Sequence, residues 1–225
     1  MTWVKICGTT SLRDAQLSIA VGADALGFVF APSSRHIEIA TAREIITAIG
    51  SEAEAVGVFV NEHLDRVAEV VEQSGLTGVQ LHGDEPPGSL PEFRRALGER
   101  KIIKTLHARE LLSGERKLND YLAACDSIDA ILLDSGSAQQ RGGTGATFAW
   151  QELVPLAREI RSAMPLIIAG GLTAENVGSA VELFGPWGVD VVSGTESSPG
   201  TKDEAKLRRF VGAVRQTQTS ARQRE

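Results

Sequence analysis

Cysteine is scarce: Cys7 and Cys125 are the two in 225 residues. They lie far apart in unlike settings, so no disulfide framework is expected, and a reducing cytoplasm is the compartment this implies. No apolar run approaches the 18 or so residues of a membrane span. The opening Met1-Thr2-Trp3-Val4-Lys5 lacks the basic and apolar regions of a secretory leader. Basic charge is in deficit, 23 Lys and Arg against 29 Asp and Glu. A net charge of −6 argues against the basic face that nucleic acid binding needs. No histidine pair has ligand spacing, and there is no carboxylate cluster or C-x-x-C, so no metal site is expected. A G-x-G-x-x-G after the first strand is missing too, which argues against a dinucleotide fold.

What remains is a regular alternation. Apolar runs bounded by turn residues recur as strands at Trp3–Cys7, Ala25–Phe30, Ala55–Val60, Gly78–His82, Lys101–Leu106, Ile131–Leu133, Leu166–Ala169 and Val189–Val192. Amphipathic segments lie between them. Ser11-x-x-Asp14 and Thr41-x-x-Glu44 read as helix starts, as does Asn61, and a helix is expected over Thr173–Phe184. Eight βα units at a spacing of about 25 residues imply a parallel sheet with helices outside. They suit a single (β/α)8 TIM barrel over residues 1–225, with 216–225 a frayed polar tail.

In such a barrel the chemistry gathers where the strands end. Those ends carry Lys5 and Cys7, then Arg35, Gln80 and His82, Asp134, Gly170-Gly171, and Asp190 with Ser193-Gly194. Asp134 stops a buried run and precedes the glycine-rich 136–145 segment, so it is either a turn cap or an acid, and the segment a mobile cover. Alternation turns Lys5 and Cys7 toward the barrel interior or its mouth, where a thiolate serves as base or nucleophile. Cationic neighbours would lower its pKa. His82 is a second candidate base, and Cys125 reads as a small core residue. Gly170-Gly171 after strand 7 and Ser193-Gly194 after strand 8 occupy the usual phosphate position of the fold.

Taken in order, these residues resemble the phosphoribosylanthranilate isomerase family. The resemblance runs through Lys5-Ile6-Cys7-Gly8, Gly27-Phe28-Val29-Phe30, Ser34-Arg35, Val79-Gln80-Leu81-His82-Gly83-Asp84-Glu85, Leu133-Asp134-Ser135, Gly142-Gly143-Thr144-Gly145, Ala169-Gly170-Gly171 and Pro199-Gly200-x-Lys202-Asp203. It implies an Amadori rearrangement of a phosphoribosyl substrate in tryptophan biosynthesis, without metal or cofactor. Cys7 would be the general base and Asp134 the general acid. Arg35 would pair with the anthranilate carboxylate, Asp190 would meet the amine or ribose hydroxyls, and Gly170, Gly171, Ser193 and Gly194 would hold the phosphate. The partner is then a small molecule, not nucleic acid or membrane, and the chain a monomer with a homodimer as the alternative.

Three positions depart from the family pattern. A proline often stands between the residues equivalent to Ser34 and Arg35, a serine where this chain has Val192, and an aspartate where it has Ala149. The missing aspartate is expected to be a helix N-cap. Two rival readings remain. The related isomerase of histidine biosynthesis carries an aspartate where this chain has Cys7. A phosphate-ligand binding protein without catalysis would have no need of both Cys7 and Asp134.

Overall fold

A computed structural model describes residues 1–136 and 146–222, with side chains for all but 146–149 and 218–222. The 137–145 part of the expected glycine-rich cover, Gly142–Gly145 included, lies outside the described residues. Eight strands form a closed parallel barrel in chain order: β1 Trp3–Cys7, β2 Ala25–Val29, β3 Glu54–Phe59, β4 Gly78–Leu81, β5 Lys101–His107, β6 Ala130–Asp134, β7 Leu166–Ala169 and β8 Gly188–Val191. Between them run α1 Leu12–Ala20, α2 Ile39–Ile49, α3 Leu64–Ser74, α4 Leu90–Leu97, α5 Ala108–Ser113, α6 Leu118–Leu122, α7 Ala146–Ala163 and α8 Val177–Phe184. A two-stranded hairpin, β9 Glu196–Ser198 and β10 Thr201–Lys202, precedes the last helix α9, Glu204–Arg222. The fold is thus the (β/α)8 barrel that the alternation implies. None of the described helices is long and apolar enough to cross a membrane.

Period-2 alternation divides the strand residues between two cores. One face packs outward against the helices, as Val4, Ile6, Leu26, Val79, Leu81, Ile131 and Leu133 do. The other fills the barrel with Trp3, Ala25, Val56, Ile103, Ala130, Leu132, Ile167 and Ala169. Both faces are buried, which is why these strands read as near-continuous apolar runs. At the end of the barrel where the strands start, Trp3 stacks on Trp187 at 4.9 Å, and Lys101 Nζ, paired with Glu54, stands 5.2 Å from each ring. That end is plugged by aromatic carbon, and the polar groups are left to the other mouth.

Local caps depart from the sequence reading in instructive ways. Ser11 does cap α1, its side chain accepting from the Asp14 N–H at 3.2 Å. Thr41 does not cap α2, which starts two residues earlier at Ile39 behind Glu38. Asn61 is no cap either, because α3 begins after His63. Asn61 instead takes a left-handed φ of 52° and ties the β3 loop to the β4 loop. Its side chain accepts from the Asp84 N–H at 2.5 Å and donates to the Asp84 carboxylate at 3.1 Å. The helix expected from Thr173 opens only at Val177, because Asn176 folds Thr173–Asn176 into a turn by accepting from the Thr173 N–H. At the chain's end, helix α9 continues to Arg222 through most of the segment expected to fray.

The backbone of α7 is helical from Ala146, so Ala149 falls in the first turn, past the N-cap. An aspartate there would act through the helix dipole, worth about 0.3–1 kcal/mol at low salt. Ala149→Asp is therefore expected to raise the melting temperature slightly, with the gain shrinking as salt is added. A gain independent of salt would point to a specific hydrogen bond instead.

Candidate active site

One cavity of about 410 Å³ opens at the mouth where the strands end. Cys7, Arg35, Gln80, His82, Asp134, Gly170, Gly171, Asp190 and Ser193 all line it. Gly194, also singled out from sequence, is not on the cavity wall. A side chain at Gly194 would run into the Leu172 carbonyl, so its role is to let the loop after β8 lie directly on the loop after β7. Gly170 and Gly171 both have left-handed φ, 92° and 63°. A Cβ at Gly170 would strike Asp134, and that close approach brings the β7 loop beside the carboxylate.

The floor is built on Lys5. Its side chain is completely buried, and its ammonium donates to Gln80 Oε1 at 2.8 Å and to Asp190 Oδ1 at 3.0 Å. Burial works against the charge, but the carboxylate of Asp190 and the Cys7 sulfur outweigh it, and the Lys5 pKa is raised. Gln80 continues the chain from its amide nitrogen, 2.7 Å from His82 Nδ1 and 3.2 Å from Thr105 Oγ1.

Cys7 lies directly above Lys5 on β1, 4% exposed, with room made for its sulfur by Gly27 on β2. The cationic surroundings expected from sequence are present as Lys5 and Lys202. They do not prevail: burial is the largest influence, Asp190 adds to it, and the thiol is pushed above its ordinary 9.0. Asp134 ends β6, its Oδ1 accepting from the Gly136 N–H at 2.8 Å and its Oδ2 standing 3.8 Å from His82 Nε2. Burial depresses the His82 pKa, and His107 reinforces it while Asp134 opposes.

Arg35 reaches the cavity already engaged. Its Nε and Nη2 form a two-toothed pair with Glu196, at 2.8 and 2.7 Å. Among the described residues Nη1 has no protein partner. Burial opposes ionisation of Glu196, yet Arg35 and Lys202 outweigh it and hold its pKa down. Lys202, itself buried, donates to the Cys7 carbonyl at 2.6 Å and lies 3.4 Å from Glu196. Glu196 and Lys202 were not singled out from sequence as site residues. They sit on the β9–β10 hairpin, and the Pro199-Gly200 dipeptide at its tip was the available turn signal.

The fold also gathers a group that chain spacing hid. His82, His107 and Asp134, from three neighbouring strand ends, bring one ligand atom each within 4.8 Å of the others.

The sequence from 4 to 213 matches the family model of N-(5′-phosphoribosyl)anthranilate (PRA) isomerase. The chain belongs to the phosphoribosylanthranilate isomerase family. A Geobacter metallireducens relative named N-(5′-phosphoribosyl)anthranilate isomerase is 43% identical, over 94% of this chain and 98% of its own length. Phosphoribosyl anthranilate isomerase from Thermotoga maritima superposes with a TM-score of 0.81 at 39% identity, covering 96% of this chain and all of that one. A further phosphoribosyl anthranilate isomerase structure, at 38% identity and a TM-score of 0.78, is in complex with reduced 1-(o-carboxyphenylamino)-1-deoxyribulose 5-phosphate. It covers 96% of this chain and all of its own.

Two expectations follow from the isomerase cavity. The raised pKa keeps Cys7 protonated at neutral pH, so its ionised fraction grows as pH rises. In a Cys125→Ser background, alkylation of Cys7 by iodoacetamide should therefore accelerate through the mildly alkaline range, and kcat/KM should climb with it. An alkylation rate already flat at neutral pH would show a depressed thiol instead. Second, a Cβ at Gly27 would sit 2.5 Å from the Cys7 sulfur. Gly27→Ala should cost about 1–3 kcal/mol in chemical denaturation and lower kcat by displacing the thiol. Native kcat in a destabilised variant would mean that the backbone yields and the sulfur stays put.

Proposed function

We propose that the chain converts N-(5-phosphoribosyl)anthranilate to 1-(2-carboxyphenylamino)-1-deoxyribulose 5-phosphate with Cys7 as general base and Asp134 as general acid. The observation carrying this reading is that both side chains, one from β1 and one from β6, line the same cavity. Asp134 gives its proton to the furanose ring oxygen while the anthranilate nitrogen pushes its lone pair toward C1′. The C1′–O bond breaks and an iminium forms. Cys7 thiolate then takes the C2′ proton, and the electrons of that C–H bond neutralise the iminium to an enolamine. Protonation at C1′ and loss of the C2′ hydroxyl proton complete the aminoketose, so no atom is gained or lost.

Cys7 suits the base role better than His82. Its raised pKa makes a strong base once ionised, whereas both ring nitrogens of His82 face protein groups, Gln80 on one side and Asp134 on the other. Arg35 Nη1 is the group offered to the anthranilate carboxylate, with Glu196 fixing the plane of the guanidinium. Asp190, anchored by Lys5 through Oδ1, is assigned to the substrate's amine or hydroxyls, a reading supported by its position on the cavity wall. The phosphate is assigned to the loops of Gly170-Gly171 and Ser193-Gly194, of which Gly170, Gly171 and Ser193 line the cavity while Gly194 lets the two loops meet.

Turnover is followed by the loss of the substrate's anthranilate fluorescence. Cys7→Ser and Asp134→Asn should each lower kcat by about 10²-fold or more while affinity for a product analogue stays nearly native. Near-full turnover in either variant would remove that residue from its role. A wild type that binds the product analogue but never turns over substrate would be a binding protein.

A further inference from the structure

Lys5 has only donors to offer, so the Gln80 atom 2.8 Å from its ammonium must be the amide oxygen. The other end of that amide is then NH2, and it donates to His82 Nδ1 at 2.7 Å. A ring nitrogen that accepts carries no proton. In a neutral imidazole the proton is left on Nε2, the nitrogen 3.8 Å from Asp134 Oδ2. We propose that the Lys5–Gln80 chain locks His82 in its Nε2–H tautomer, making His82 a positioning residue that presents a donor, never a lone pair, to Asp134. The lock itself rests on this geometry alone; its use in catalysis rests on the reading of Asp134 as the acid.

The tautomer matters because the alternatives act in opposite directions. With Nε2–H facing it, the carboxylate left after proton transfer has a donor for each oxygen, the Gly136 N–H on Oδ1 and His82 on Oδ2. A gap of 3.8 Å is of the kind that tightens when substrate closes the site. With a lone pair there instead, the imidazole would compete with the substrate for the proton of Asp134. The same lock bears on the grouping of His82, His107 and Asp134. Their atoms lie within 4.8 Å, close enough to share a transition metal, yet Nε2 can ligate only as a lone pair. Gln80 as donor forbids that. A carboxylate at position 80 would instead accept from Nδ1–H and free Nε2, recreating the carboxylate–histidine–metal arrangement.

The test uses ¹⁵N-histidine-labelled full-length protein near neutral pH, with the His82 signals assigned by loss in His82→Asn. Native His82 should show a protonated Nε2 and a bare Nδ1. Gln80→Glu should move the proton to Nδ1 and lower kcat about tenfold or more with KM nearly unchanged. It should also tighten Ni²⁺ binding at least about tenfold, measured by calorimetry in a Cys7→Ser background where thiolate ligation is absent. A native ring protonated on Nδ1 or on both nitrogens would overturn the lock, and this reading needs no variant to fold. An unmoved tautomer in folded Gln80→Glu would overturn it as well. A tautomer that moves while kcat stays native would overturn the donor role. Full turnover in Asp134→Asn beside a native Nε2–H signal would sink the acid assignment and leave the lock standing.

Discussion

An ammonium group buried in the middle of a barrel is the constraint on which this site depends. Removing such a charge from water costs several kcal/mol even after relaxation, and an unpaired buried lysine would simply lose its proton. Lys5 keeps its charge because β8 supplies Asp190 and β4 supplies Gln80. Each partner is thereby fixed in turn. Asp190 is held with one oxygen committed, Gln80 has its amide oriented, and Cys7 stands over a cation on the same strand. The inner face of the barrel beneath them is apolar.

Two more buried lysines repeat the device at the rim. Lys202 joins the hairpin after β8 to the Cys7 carbonyl at the end of β1, with Glu196 as counter-charge. Lys104 of β5 pairs with Glu85 at 2.7 Å and donates to the Gly83 carbonyl, fastening the loop after β4. For both, burial pulls the pKa below the ordinary lysine value and the carboxylate pulls back. These pairs are weak evidence for net stability, since desolvation offsets much of the attraction. Their physical effect is on geometry, because breaking one leaves a buried charge with no partner.

The barrel was legible in the sequence because a strand buried on both faces leaves a plain signature, an apolar run stopped by a turn. The site was legible for a related reason. Polar residues at the ends of such runs, Cys7 and Asp134 above all, have nowhere to go but the mouth. What stayed hidden depends on contacts between distant segments. The pairing of Arg35 with Glu196 spans 161 residues, and no local pattern announces it. Asn61 is a good N-cap residue in isolation, but its side chain satisfies the Asp84 backbone from the next loop, and the helix starts later for that reason. The sense of the Cys7 shift was misjudged because sequence shows which cations are near but not how dry the pocket is.

Lys5 and Asp190 lie 185 residues apart in the chain, and Lys202 reaches the Cys7 carbonyl across 195. Contacts of that span carry a large loop-closure cost. Until β8 docks, β1 exposes an ammonium that is far better solvated by water than by an incomplete apolar ring. A partial barrel is therefore discouraged from collapsing on itself, and the closing strand brings the counter-charge that permits closure. The centre of the cavity thus records the completion of the chain's assembly.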